Sequence, residues 1–218
     1  ELSLLASAHR QYDEAYWEKK VLAPSALIMY LGVKGKVDSL VHHNLLFSQD
    51  WRTNFKQIFD DPMWPDDPSM YVCAPSKTDP NVAPEGDENL FVLVPIASGL
   101  EYSEEDLEAY ANKVLAIMES EMKITDLNER IIYKRLYSVK NFEQDYNAYK
   151  GTALGLAHTI TQTAIFRPNN YSKKVKDLYY VGAGTNPGIG VPIQLISAEM
   201  VYKRIAGINQ DSPLKGEE

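Results

Sequence analysis

The hydrophobic and polar positions of the chain follow two periods, one typical of strands and the other typical of helices. Ser25–Val33 (SALIMYLGV) is an apolar run bounded by Pro24 and Gly35, which predicts a buried strand. Residues 40–47 (LVHHNLLF) are predicted to be the strand that pairs with it across a short turn. Further strands are predicted at residues 69–75, 88–97, 131–139 and 178–181.

Helical periodicity and capping residues predict most of the remaining elements. Asp50 precedes a short predicted helix over residues 51–59, and Ser103 with three acidic residues after it begins a helix that runs to about residue 122. Another helix is predicted over residues 193–205, where Glu199 and Lys203 form an i,i+4 pair. We also expect a polar helix or its remnant over residues 2–19 and a short helix that ends near Gly151, while the apolar residues 153–166 are ambiguous.

The order of these elements predicts the fold class. Strand pairs joined by loops come first, and a single strand, glycine turn and helix come last. Such an order is typical of an α+β or mixed α/β fold rather than of a series of βαβ units. We therefore expect a mixed or antiparallel sheet with covering helices.

Composition and charge narrow the classes of partner. The chain has 218 residues and a net charge of −8, which argues against a nucleic-acid partner and against electrostatic binding to anionic lipid. Cys73 is the only cysteine, so no disulfide can form within the chain. Its apolar runs are well short of the roughly 18 residues that span a bilayer. The first residue is Glu rather than Met, from which we expect that an upstream part is missing.

The stretch LYYVGAGTNPGIGVP, residues 178–192, places four glycines between a strand-like run and a helix. Glycine permits positive φ and lets backbone N–H groups approach a ligand without a Cβ in the way. Pro192 suits the first turn of a helix, whose N-terminus carries a partial positive charge and unpaired donors for a phosphate or an electron-rich ring edge. The same stretch is also typical of a tight connection. GAGT is not the GxGxxG fingerprint, so this segment cannot complete a dinucleotide-binding fold alone.

The run DLYYVGAGTNPGIGVPIQLISAEMV closely resembles the C-terminal signature of bacterial-type phytoene desaturases, the carotenoid desaturase branch of the flavin amine oxidase superfamily. Other segments resemble the family's landmarks in the same order: ALIMYLGV, LVHHNLLF, YVCAPSKTDPNVAPEGDENLFVLVPIA, NAYKGTALG and TQTAIFRPNN. The resemblance covers roughly residues 17–208, nearly all of the chain.

The resemblance implies that the chain is the C-terminal half of such an enzyme. Residues 1–165 would be part of a substrate-binding domain, and residues 166–218 would be the closing strand–turn–helix of an FAD-binding, Rossmann-like domain. The GxGxxG unit that binds the ADP half of FAD would belong to a missing N-terminal half. No catalytic residue is assigned. The family's cofactor-binding positions correspond to Gly182, Ala183, Gly184, Thr185, Gly188, Gly190, Val191, Pro192 and Ile193, the last four of them beside the isoalloxazine ring.

The implied activity is FAD-dependent desaturation of a carotenoid polyene by hydride transfer to flavin. A polyene substrate resides in lipid, so we expect the whole enzyme to sit peripherally on the cytoplasmic, inner face of the cell membrane through apolar contact. The chain alone is expected to be inactive. Two alternatives stay open: a carotenoid isomerase or oxygenase of the same superfamily, and a non-catalytic lipid-binding module.

Other residues that carry chemistry have weaker signals. His42 and His43 are adjacent on a predicted strand and should point to opposite faces, so no metal site is predicted. Cys73 has no base in its local sequence and is expected to be buried and structural. Glu85, in the APEG segment, is either a proton acceptor near the substrate or a solvated carboxylate. Arg167, in the FRP segment, would pair with a carboxylate or with a flavin phosphate.

Two further patterns permit more than one interpretation. Alternate side chains of the strands predicted at residues 69–75 and 88–97 either line an apolar tunnel or belong to the core. Asn170-Tyr171-Ser172 matches a glycosylation acceptor, but such triplets often arise by chance and we expect no role for this one.

Overall fold

A computed structural model of the chain describes residues 1–214 and divides them into two units. Unit 1 combines residues 1–23 with the chain from Leu154 onward, and unit 2 comprises Pro24–Ala153. Residues 215–218, the end of the predicted C-terminal segment, lie outside the described residues. The sequence predicted a boundary at residue 165 between a substrate-binding domain and an FAD-binding segment. This functional boundary stays a prediction.

Unit 2 is built on a five-stranded antiparallel sheet. The strands are β1 (Ser25–Val33), β2 (His43–Leu46), β3 (Met70–Cys73), β4 (Glu88–Ile96) and β5 (Ile131–Tyr137). They lie in the order β2-β3-β4-β1-β5, with every neighbouring pair antiparallel. The predicted fold class, with an antiparallel sheet and helices, is confirmed.

The partner predicted for β1 is wrong. β1 pairs with β4 on one side and β5 on the other, whereas residues 40–47 contribute β2, which pairs with β3. The burial pattern gives the physical reason. Seven of the nine residues of β1 are buried, as expected for an interior strand, while the short strand β2 is half exposed along its length at the edge of the sheet.

The two helices whose starts were predicted from capping residues begin where expected. The Asp50 side chain accepts a hydrogen bond from the Thr53 N–H, and Ser103 and Asp106 form a reciprocal capping box. The helices are α1 (Glu14–Glu18), α2 (Trp51–Phe59), α3 (Glu104–Glu121), α4 (Leu127–Arg130), α5 (Val139–Tyr146) and α6 (Val191–Ala206).

The hydrophobic core of unit 2 lies between one face of the sheet and α3. Val92 and Val94 of β4 are fully buried in the same cluster as Ala111, Val114 and Met118 of α3. The alternation of β4 sends every second side chain into this core, while the intervening side chains reach the opposite face.

The opposite face of the sheet is aromatic and only partly covered. Tyr30, Tyr71, Phe91 and Tyr133 share this face by register, and we call them the aromatic face. The ring centroids of Tyr30 and Phe91 lie 5.6 Å apart, and those of Tyr71 and Phe91 lie 6.3 Å apart. Phe142 of α5 packs over one end, against a small cluster that contains Ile28 and Tyr137.

The two ends of unit 2 lie side by side. The N–H of Ala153 donates to the carbonyl of Pro24 at 3.1 Å, and the Ser25 hydroxyl donates to the carbonyl of Gly151 at 2.6 Å. The unit therefore leaves and rejoins the rest of the chain at neighbouring points.

Unit 1 contains less regular structure than predicted. Residues 2–19 form only a short 3-10 turn, Ser7–His9, and α1. The predicted strand at residues 178–181 is reduced to a single bridge between Tyr179 and Tyr171, because its other edge has no paired strand in this unit. α6 confirms the predicted C-terminal helix, and its Glu199 and Lys203 form the expected pair at 2.7 Å.

Within residues 1–214, no helix combines the length and the apolar character that a membrane crossing requires.

Candidate functional site

The glycine turn, residues 182–190, has backbone geometry that only glycine adopts readily. Gly182, Gly188 and Gly190 have φ values of +113°, +141° and +119°. A side chain at any of these positions would be strained. Glycine is therefore required here by the path of the chain.

The glycines of the turn differ in how much free space surrounds them. A Cβ at Gly182 or Gly184 would meet no heavy atom within 4 Å. A Cβ at Gly188 would lie 2.5 Å from Nε2 of His158, and the same nitrogen accepts a hydrogen bond from the N–H of Ile189. The first part of the turn is thus open to a ligand, whereas its later part is packed against the protein itself.

The N-terminus of α6 follows the turn directly and has no side-chain cap. Gly190 occupies the N-cap position and has no side chain that could cap the helix, and Pro192 lies in the first turn. Val191 and Pro192 are exposed. An uncapped helix end carries unpaired N–H groups and a partial positive charge, so this end suits an anionic or electron-rich group.

Arg167 binds the backbone of the turn through hydrogen bonds from its buried guanidinium. Its side chain is buried, with 2% exposure, and its guanidinium donates to backbone carbonyls rather than to a carboxylate. Nε lies 3.0 Å from the Thr185 oxygen, and the other nitrogens bond the carbonyls of Gln162, Leu156 and Ala183. The carboxylate partner predicted for Arg167 is therefore wrong, and a flavin phosphate as its partner stays a prediction. Burial lowers the pKa of Arg167 from its ordinary value, and the carbonyl dipoles compensate its charge.

Asn170 lies at the centre of a second buried network. Its Nδ2 is within hydrogen-bonding distance of the carbonyls of Tyr180 and Asn186 and of the hydroxyls of Thr185 and Ser197, at 2.8–3.2 Å. Because this amide is buried and engaged, the Asn170 triplet does not present a glycosylation acceptor. The network connects the turn to α6 through Ser197, which is fully buried.

The predicted cofactor-binding residues lie together in one continuous segment but differ in exposure. Gly184, Val191 and Pro192 are exposed, whereas Thr185 and Gly188 are buried and contribute to the protein's own packing. Gly182, Ala183, Gly190 and Ile193 have intermediate exposure. Their roles in binding stay predictions.

The sequence did not reveal three residues whose side chains form hydrogen bonds that hold the turn in place: His158, Asn170 and Ser197. A partial signal was present, since Arg167 and Asn170 lie in the FRP landmark segment. Their partners are mostly backbone carbonyls, and no sequence pattern identifies a carbonyl that a distant side chain will bond.

A cavity of about 390 Å³ adjoins the turn in unit 1. Tyr12, Trp17 and Tyr179 contribute aromatic walls, and Gly184 lies at its margin. Tyr180 also lines it, and its hydroxyl bonds the Glu1 carboxylate. Burial and that carboxylate raise the pKa of Tyr180 to about 12, so its hydroxyl stays protonated at neutral pH.

In unit 2, a cavity of about 450 Å³ opens over one end of the aromatic face. Tyr30, Phe91, Tyr133 and Ile132 line it from the sheet, and Val82 and Pro84 line it from the loop before β4. Of the two predicted roles for the alternate side chains of β3 and β4, Met70, Val72, Val92 and Val94 belong to the core, while Phe91 lines this cavity.

The buried carboxylate of the acidic segment around the start of β4 is that of Glu88, the first residue of the strand, and not that of Glu85. Glu85 is exposed, whereas Glu88 is 1% exposed and lies 3.0 Å from Nζ of Lys77. Burial raises the pKa of Glu88, but hydrogen bonds from Ser76 and Lys77 and the charge of Lys77 lower it more, so the net shift is downward. Glu88 is therefore ionised, and we assign it a structural role.

Curated relatives with the same sequence pattern are desaturases by name. A carotenoid 3,4-desaturase from Haloarcula japonica is 53% identical over 199 residues, which are 91% of this chain and 40% of that protein. A 4,4'-diapophytoene desaturase (4,4'-diaponeurosporene-forming) from Staphylococcus aureus is 37% identical over 194 residues, 85% of this chain and 38% of that protein. The chain is a relative of the carotenoid desaturases. The resemblance predicted from its motifs is confirmed.

The similarity to carotenoid desaturases has a defined extent. The chain spans about 40% of the length of the curated relatives it matches. No family model matches it. A solved structure of an oxidoreductase from Methanosarcina mazei aligns with 92% of this chain and 39% of that one, but at 15% identity and a TM-score of 0.46 this likeness supports no argument.

Proposed function

We propose that this chain supplies the substrate-facing sheet and part of the flavin-binding surface of an FAD-dependent carotenoid desaturase. The observation that carries the proposal is the glycine turn, which leads directly into an uncapped helix end in a relative of the carotenoid desaturases. The names of the relatives favour desaturation over isomerisation or oxygenation, and they favour an enzyme over a lipid-binding module.

The residues of the turn fit FAD. A flavin nucleotide needs close contact with backbone N–H groups along its phosphates and ribityl chain, and the open space at Gly182 and Gly184 permits such contact. The end of α6 at Gly190 would stabilise negative charge at the ring edge. FAD, when bound, supplies the acceptor for the hydride that desaturation removes. Arg167 and Asn170 hold the turn in the shape that this binding needs.

The aromatic face would hold the polyene. A carotenoid precursor has no polar handle, so its binding depends on apolar area and on exclusion of water. Tyr30, Phe91 and Tyr133 present rings over the cavity of about 450 Å³. Burying each ring against a polyene removes apolar surface from water at about 25 cal/mol per Å². The chain's contribution to catalysis is therefore orientation of the reacting bond, and we assign no acid or base.

The proposed partner of this chain is the N-terminal half that contains the ADP-binding unit. α6 is consistent with such a partner, because only Ser197 and Val201 of its residues are buried. Its exposed apolar side chains are those of Val191, Leu195, Ile196, Met200, Tyr202 and Ile205.

We further propose that the whole enzyme works as a peripheral protein at the cytoplasmic face of the cell membrane. The support is the lipid solubility of a polyene together with a net charge of −8, which leaves apolar contact as the means of attachment.

The test uses the whole protein and three measurements. The purified protein should be yellow, retain FAD, and convert a colourless carotenoid precursor to a product that absorbs at longer wavelength. An isomerase would lengthen the chromophore little, so its spectrum would barely shift. A colourless protein that refuses added FAD would overturn the flavin assignment, and an unchanged precursor spectrum would overturn the desaturase assignment.

A substitution at the turn connects the activity to these residues. Gly184→Val places a side chain in the open space where the ligand would lie, without a clash inside the protein. We expect FAD affinity to fall about tenfold or more, which corresponds to at least about 1.4 kcal/mol. Ala109→Val adds bulk at an exposed position of α3 and is the matched control, for which we expect unchanged FAD affinity. Equal FAD affinity for both variants would contradict the assigned position of the flavin.

A further inference from the structure

The ends of β2 and β3 bring together three side chains that bind metals in proteins: His42, His43 and Cys73. One ligand atom from each lies within 4.8 Å of the others. The prediction that the two imidazoles point to opposite faces is wrong, because their ring centroids lie only 4.1 Å apart. The expectation that Cys73 is buried is also wrong, since its side chain is partly exposed.

The backbone fixes the three residues in this arrangement. His43 lies directly opposite Cys73 in the register of β2 and β3. The carbonyl of His42 accepts a hydrogen bond from the N–H of Ala74 at 2.8 Å, which extends the pairing by one residue. As a result the two imidazole centroids are 4.1 Å apart, and Sγ of Cys73 lies 3.9 Å from Nδ1 of His43.

Each imidazole also has a hydroxyl partner that orients it. Nδ1 of His42 lies 2.7 Å from the Thr78 hydroxyl, and Nδ1 of His43 lies 2.8 Å from the Tyr71 hydroxyl. In metal sites a histidine ligand is commonly held by a hydrogen bond to its ring, which fixes the ring's orientation. Two of the three candidate ligands, His42 and His43, thus have an orienting contact at Nδ1, which leaves Nε2 of each ring for a metal.

We propose that His42, His43 and Cys73 form a binding site for Zn²⁺ at the edge of the sheet. One thiolate and two imidazole nitrogens are a ligand set that Zn²⁺ favours over Mg²⁺ or Ca²⁺, which prefer oxygen. In tetrahedral zinc sites, bonds of about 2.0–2.3 Å place ligand atoms roughly 3.3–3.8 Å apart, so the cluster must contract by about 1 Å. His43 is exposed and Cys73 partly so, which gives the metal access and lets the side chains rotate.

The proposed site belongs to unit 2, and its role is to join an edge strand to its neighbour. β2 has only four residues and pairs with β3 alone. A metal that bonds β2 and β3 together stabilises this pairing, because it binds the folded arrangement and not the unfolded chain. Three protein ligands leave a fourth position for water or another ligand.

Co²⁺ is the spectroscopic probe for the test, since it occupies zinc sites and a bound thiolate gives a charge-transfer absorption band. We expect titration of the whole protein with Co²⁺ to produce that band, to saturate at about one equivalent, and to reverse when Zn²⁺ is added. Zn²⁺ should also raise the melting temperature of the protein by several degrees.

Three variants separate a built site from chance binding. Cys73→Ser should abolish the thiolate band, and His43→Gln should weaken Co²⁺ binding at least tenfold. His9→Gln changes an exposed histidine of unit 1 and should leave the titration unchanged. Absence of the band in the unaltered protein, or a band that survives Cys73→Ser, would overturn the proposal. If Cys73→Ser lowers the stability of the protein, the test rests on His43→Gln. Equal Co²⁺ affinity for His43→Gln and for the unaltered protein would then overturn the proposal.

Discussion

Replacing Arg167 with alanine tests whether one buried side chain organises the glycine turn. Its guanidinium is the shared donor for four backbone carbonyls, two of which, those of Ala183 and Thr185, belong to the turn. The other two, of Leu156 and Gln162, belong to the irregular segment that precedes it. Arg167→Ala removes every one of these bonds and leaves the acceptors buried.

The expected cost is large for a single substitution. A hydrogen bond from a charged group contributes about 1.5–3 kcal/mol net, but four bonds from one group are not additive, and water will enter part of the space. A buried acceptor left without a donor typically costs about 1–3 kcal/mol, and several are left here. We therefore expect the free energy of unfolding of unit 1 to fall by about 3–5 kcal/mol. Arg167→Lys should recover only part of this, since an ammonium cannot reproduce the planar fork.

Hydrogen exchange at residues 182–186, together with urea denaturation, measures the effect where it should occur. In Arg167→Ala the amides of the turn should exchange faster, and FAD affinity should fall with them. Arg204→Ala is the matched control in unit 1: its guanidinium lies 4.2 Å from the centroid of the Tyr171 ring, and its loss should cost about 0.5–1 kcal/mol. If Arg167→Ala loses no more stability than Arg204→Ala and turn exchange is unchanged, the organising role of Arg167 is refuted.

Two further predictions concern packing and pH. Gly188→Ala should destabilise unit 1 by about 1–3 kcal/mol, because φ at this position is +141° and the new Cβ would lie 2.5 Å from His158. Thermal denaturation measures this loss, and Gly184→Ala is the control that should lose less stability. Equal losses for the two variants would contradict the packing described for Gly188. The folded pKa of Glu88 is lowered, so its contribution to stability is present above its unfolded pKa and is lost as pH falls through the folded pKa. Unfolding free energies measured from about pH 6 to pH 3 should therefore decline less steeply for Glu88→Gln, and identical slopes would contradict this assignment.

Elements with strong local signals were predictable from the sequence almost to the residue. The bounds of β1 and of α2 agree with the prediction, and the capping box at Ser103 begins α3 where expected. In each case the information lies within the element: an apolar run between breakers, or a side chain that caps the next turn. Tertiary contacts did not need to be known.

Pairings and close approaches were not predictable in the same way. The choice of β4 and β5 as neighbours of β1 depends on all strands at once, and short-range order wrongly suggested residues 40–47. The local pattern also placed His42 and His43 on opposite faces, whereas a ligand atom of each lies within 4.8 Å of Cys73 Sγ. The glycine turn itself could be located from its composition, but its support by Arg167 and Asn170 depends on carbonyl positions that no local pattern records.

The contact between the ends of unit 2 has a consequence for the order of folding. Unit 1 is assembled from two stretches of chain separated by 130 residues, and bringing such distant stretches together from an unfolded chain costs roughly 4 kcal/mol in loop-closure entropy. Unit 2 removes most of that cost if it forms first, because the bond from Ala153 to Pro24 already places its two ends next to each other. A folded unit 2 therefore holds together the two stretches of chain that form unit 1. In refolding followed by pulse-labelled hydrogen exchange, we expect the amides of β1 and β4 to be protected before those of the glycine turn.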